Sequence, residues 1–92
     1  MSSTGNITSR YKVTVYSKAD KFIGKIPESN RKTEALRLIN DLQNFPFIDP
    51  AWHIEKLGGR DDAWRIRIGR YRIGFVVDKP AKEIIVYEAA IK

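Results

Sequence analysis

Across residues 11–16 (YKVTVY) apolar and polar side chains alternate, with Val13 and Val15 in one phase, the period-two pattern of a half-buried strand. The period then lengthens. Ala19, Phe22, Ile23 and Ile26 recur at i, i+3, i+4 and i+7 as one apolar stripe of a helix, and Ser17 followed three residues later by Asp20 has the spacing of a capping box. Pro27 ends that element. Proline also suits the first turn of a following helix, where Glu28 would complement the dipole, and Ala35, Leu38, Ile39 and Leu42 carry an apolar face on toward Phe45. The pattern predicts a helical hairpin. Pro46 and the Asp49-Pro50 pair exclude further helix, so residues 44–51 are a connector.

Beyond the connector the chain reads as strands over 52–57, 64–68, 71–77 and 83–89, separated by turn-rich segments. Residues 58–62 (GGRDD) form a loop by composition, Gly69-Arg70 is a two-residue link suited to a type II′ hairpin, and residues 78–82 (DKPAK) are a longer reversal. Short links make antiparallel neighbours. The expected fold is therefore α+β: an N-terminal strand, a helical hairpin, then an antiparallel meander (β-α-α-β-β-β-β), with the helices covering one sheet face.

Phase within the meander locates candidate chemistry. In residues 64–68 (WRIRI) alternation sends Trp64, Ile66 and Ile68 to one face and Arg65 and Arg67 to the other. Tyr71, Ile73, Phe75 and Val77 share the inward phase of the next strand, leaving Arg72 on the alternate side, and a hairpin closed at Gly69-Arg70 brings Arg72 beside Arg67 or Arg65. Like charges opposed across a sheet cost a few tenths to about 1 kcal/mol. A cluster of that kind suits phosphate, since each guanidinium offers a permanent charge and a fixed fork of donors. The alternative on phase alone is a solvated face whose arginines pair with Glu55, Asp61 or Glu88.

Charge agrees with a polyanion partner. The 92 residues carry 17 Lys+Arg against 11 Asp+Glu, a formal net charge of +6. Residues 10–37 hold eight basic and three acidic side chains and residues 52–75 hold six and three, so the excess lies in two blocks. With no cysteine there is neither disulfide nor thiol nucleophile, and a reducing, cytoplasmic setting is expected. No apolar run is long enough to cross a bilayer as a helix. The small, polar residues 1–9 are expected to be a disordered tail and residues 10–92 one domain.

Residues 56–75, KLGGRDDAWRIRIGRYRIGF, resemble the core signature of RelE/ParE-type toxins. In that family a Lys-Leu and a glycine precede an aromatic-basic-aliphatic-basic strand, and a glycine and a Tyr-Arg-aliphatic strand follow. The resemblance implies a ribosome-dependent messenger RNA endonuclease in the RelE branch or a DNA gyrase poison in the ParE branch, each masked by a cognate antitoxin. By position Arg65 and Arg67 match two basic residues at the RNA, Arg72 matches a phosphate-binding arginine, and Lys92 falls near a basic position after the last strand. These four are the catalytic candidates, and Lys56, Arg60 and Arg70 the RNA-binding ones. The tyrosine that strongly cleaving relatives carry beyond that position has no counterpart here. Three outcomes stay open: an endoribonuclease acting on mRNA at the ribosome, a gyrase inhibitor, and a catalytically silent member of a toxin-antitoxin complex.

No cofactor or metal is expected. His53 is the only histidine and lacks partners at ligand spacing, and Gly58-Gly59 lacks the Lys-Ser/Thr of a phosphate loop. Tyr71 and Tyr87 read as structural strand aromatics, Trp64 as core, and Trp52 as a possible base-stacking ring.

Overall fold

In the computed structural model residues 10–59 and 62–91 are described, so the expected tail over 1–9 and the candidates Arg60 and Lys92 lie outside the described residues. The elements run β1 (Lys12–Val15), α1 (Ser17–Gly24), α2 (Asn30–Asp41) with a 3-10 turn (Leu42–Asn44), β2 (His53–Lys56), β3 (Ala63–Ile68), β4 (Tyr71–Asp78) and β5 (Glu83–Ile91). They form one five-stranded sheet in the order β1-β5-β4-β3-β2. The last four strands are the expected antiparallel meander, while β1 pairs in parallel with β5, from Lys12 opposite Glu83 to Val15 opposite Val86.

Both helices begin differently from their sequence pattern. Ser17 caps nothing: it is already helical, and Tyr16 is the N-cap without a side-chain bond. The Tyr16 N–H donates to Val86 O and its carbonyl accepts from Asp20 N–H, both at 2.9 Å, so one residue passes directly from sheet to helix and leaves a side-chain cap no place. α2 starts after Pro27 and Glu28, because Ser29 takes the cap, its Oγ accepting from Lys32 N–H at 3.4 Å while donating to Pro27 O at 2.8 Å. Lys32 Nζ then donates to Gly24 O at 3.1 Å and pairs with Glu28 at 3.1 Å, tying the end of α1 to the start of α2.

The helical stripes close over the inward face of the sheet. Ala19, Ile23 and Ile26 from the first helix and its exit, and Ala35, Leu38 and Leu42 from the second, join Ile66, Ile68, Ile73, Phe75, Val77, Ile84 and Val86 in one core. Each fully buried large aliphatic or aromatic side chain there contributes roughly 1.5–3 kcal/mol relative to exposure. Phe45 seals the connector end, its ring 5.7 Å from Phe75 and 5.8 Å from Trp64. Trp52 is also buried in this core, which removes it as a base-stacking ring. Its indole Nε1 donates to Asp41 Oδ2 at 3.0 Å, the same oxygen accepts from Asp49 N–H at 2.9 Å, and Arg37 stacks on the indole at 4.4 Å.

Candidate nucleic-acid interface

Because Ile66, Ile68 and Ile73 point into the helix-covered core, Arg65, Arg67 and Arg72 emerge on the opposite face. Register brings them together. Arg67 lies directly across from Arg72, and Arg65 across from Gly74, so two adjacent strands present all three guanidinium groups on one side. The turn that sets this register carries a left-handed φ of 60° at Gly69 and none at Arg70, as a type II′ hairpin requires.

The neighbouring strand adds a carboxylate. Glu55 on β2 stands opposite Arg65, accepts from Arg65 Nε at 2.9 Å and from its Nη2, and approaches Arg67 Nη2 at 3.8 Å. The Arg65 hydrogen bonds, and then the charges of Arg65, Arg67 and Arg72, outweigh partial desolvation and hold the Glu55 carboxyl below its ordinary range. Arg72 differs from both: its Nε is buried and has no hydrogen-bond partner. A buried donor of a charged group left without a partner is costly.

The remaining candidates divide. Arg70 is exposed at the tip of the β3-β4 hairpin, at the edge of the arginine face. Lys56 stands opposite Trp64 and so takes the other phase, its Nζ 5.7 Å from the Trp64 ring, and the structure does not gather it with the arginines. Three residues that sequence reasoning set aside or left as background do reach this face. Glu55, which phase alone offers as an arginine partner, is one, and His53, exposed and opposite Arg67, is another. Tyr87 is the third. The ladder slips at Gly74/Phe75, where Gly74 pairs with Glu88 and Phe75 with Val86, leaving Tyr87 as the extra residue of a bulge. A Cβ on Gly74 would lie 3.2 Å from the Tyr87 ring, so that ring covers the glycine next to the arginines. Tyr71, by contrast, packs edge-on against Phe22 at 6.2 Å as a core residue. Among the described residues no group of three or more His, Cys, Asp or Glu side chains could hold a metal ion.

Across 68 residues, 74% of each chain, the sequence is 31% identical to RelE1 of Methanocaldococcus jannaschii, a protein named as a candidate toxin. The chain belongs to the RelE family of toxins. No family model matches it. Its fold is that of solved RelE chains: the archaeal RelE-RelB complex of Pyrococcus horikoshii superposes with a TM-score of 0.75 at 23% identity, covering 89% of this chain and 94% of that one. Isolated RelE of E. coli superposes with a TM-score of 0.67 at 22% identity, over 88% and 83%. In this RelE-family chain the signature over residues 56–75 is thus the β3-β4 hairpin together with its approach from β2, the part of the fold that carries the arginine face.

Proposed function

We propose that this chain is a RelE-type toxin that inhibits translation by engaging messenger RNA at the ribosome and cleaving it, with Arg65, Arg67 and Arg72 receiving the phosphate backbone. The observation that carries this reading is the in-register Arg67-Arg72 pair beside Arg65, with Arg72 Nε buried and unpaired. Cleavage requires a 2′-oxygen made nucleophilic, stabilisation of charge on the pentavalent phosphorus and protonation of the departing 5′-oxygen. Arginine supplies the second. Its permanent charge makes it a poor base, so proton transfer falls to other groups. Lys92, from the sequence pattern, belongs to this proposal, as do Arg60, Arg70 and Lys56 as flanking RNA contacts. A second reading, an RNA-binding member of a toxin-antitoxin pair without turnover, is favoured by a cluster composed of arginines.

A cognate antitoxin is the proposed partner, supported by the family and by the RelE-RelB assemblies among its structural neighbours. Translation in a cell-free extract with mapping of mRNA 5′ ends tests the function. New 5′ ends that appear with the wild-type chain and vanish in the Arg65→Ala, Arg67→Ala, Arg72→Ala variant are expected. Ribosome binding without new ends selects the second reading, and unchanged RNA affinity in a folded triple variant overturns both.

A further inference from the structure

The arginine face already holds an anion of its own. Both the Nε and Nη2 donors of Arg65 converge on Glu55 Oε2, and the other carboxylate oxygen lies 3.8 Å from Arg67. The guanidinium edge that receives a carboxylate is the edge that receives a phosphate. Arg72 offers the contrary case, with a buried Nε and nothing bound to it. One arginine of the cluster is therefore hydrogen-bonded to Glu55, one has an Nε without a partner, and Arg67 is opposite Arg72 and within reach of Glu55. Glu55 can also leave. It belongs to β2, the edge strand of the sheet, and its side chain is 38% exposed.

Building on the RNA-binding reading, we propose that Glu55 is a specificity-determining residue of this face: its carboxylate stands in for a phosphate on Arg65 and Arg67, and a ligand must displace it. A lone phosphate that takes Arg65 exchanges one anion for another and gains little. A strand that offers successive phosphates meets the Arg72 guanidinium as well as Arg65, and so displaces Glu55. The face thereby discriminates against small anions and in favour of a phosphodiester chain.

Fluorescence anisotropy with a labelled, uncleavable 2′-O-methyl oligoribonucleotide, with inorganic phosphate as competitor, reads both terms. Glu55→Gln keeps the shape and removes the charge. It should tighten oligonucleotide binding about three- to tenfold at about 0.1 M salt, an exposed ion pair having been removed from competition. Inorganic phosphate should gain by a larger factor, narrowing the discrimination. Glu88→Gln changes the net charge equally from the same face, opposite Gly74, and should shift affinity far less. The Glu55→Gln gain should also vanish in an Arg65→Ala background, because the two residues act as one unit. A Glu55→Gln variant that binds no better than wild type, or a gain that persists without Arg65 or is matched by Glu88→Gln, overturns the proposal. Retained affinity in the Arg65, Arg67, Arg72 triple variant would instead overturn the underlying RNA reading, so the two failures are distinct.

Discussion

Arg67 and Arg72 face each other directly across the β3-β4 ladder, two permanent positive charges in one cross-strand pair. Such a pair works against the sheet that displays it. Arg67→Thr should therefore stabilise the fold by roughly 0.2–1 kcal/mol, seen as a rise of up to a few degrees in Tm, while weakening RNA binding. Thermal unfolding and RNA titration of the same sample check both signs. A lower Tm would mean that the Arg67 stem or its approach to Glu55 outweighs the repulsion.

Salt dependence separates contact from general charge. If Arg67 meets a phosphate, Arg67→Ala should lower the slope of log affinity against log salt by a little under one unit on single-stranded RNA. An unchanged slope would place Arg67 outside the contact.

On the proposed cleavage reading, Arg72 is expected to meet the charge that develops on phosphorus in addition to binding the backbone. In single-turnover assays on ribosome-bound mRNA, Arg72→Ala should slow cleavage by a larger factor than it raises Kd. Equal factors would assign Arg72 to uniform binding.

Gly69 tests the hairpin that holds the register. Its φ of 60° is left-handed, and an added Cβ would lie 2.6 Å from Arg31 Nε. Gly69→Ala should cost about 1–2 kcal/mol, mostly from backbone conformation, because the Arg31 side chain can swing away. Urea melts of Gly69→Ala with and without Arg31→Ala should show the second change recovering only a minor part.

Asp41 governs the acid limb of stability. Burial raises its carboxyl, but the hydrogen bonds from Asp49 N–H, the Trp52 indole and Asn44, together with the Arg37 charge, more than reverse this and leave it below the ordinary range. A depressed folded-state value means that the contribution is complete above the ordinary carboxylate range and is lost as pH falls toward the folded value. Asp41→Asn should accordingly cost about 1 kcal/mol at about pH 7, allowing for solvent screening, with the difference shrinking as pH falls below the ordinary carboxylate range. Melts across that interval give the measurement.

The element order, both helical stripes and the arginine phase were legible because each is written in local periodicity. Trp64, Ile66 and Ile68 against Arg65 and Arg67 need only the pleat. What stayed hidden depends on register between distant segments. The parallel pairing of Val13 with Ile84 has no local signature, and of the carboxylates that phase alone offers the arginines, only register singles out Glu55 for Arg65. Tyr87, read as a structural strand aromatic, does pack over Gly74 across the ladder, and what its residue type does not show is the bulge that sets its ring beside the arginines. Ser17 has the spacing of a capping box, yet the pairing of Tyr16 with Val86 carries the chain straight from sheet to helix and leaves Ser17 already helical.

The place of β5 between β1 and β4 bears on how the protein is made. Thr14 Oγ1 donates to Glu83, 69 residues further along, and Ile84 and Val86 fill the centre of the core from that same strand. A nascent chain emerging from its N-terminus thus lacks both the partner of its first strand and the middle of its interior until residues 83–91 have been synthesised. Vectorial synthesis and completion of the fold are decoupled, and the finished sheet forms only after elongation has passed that last strand.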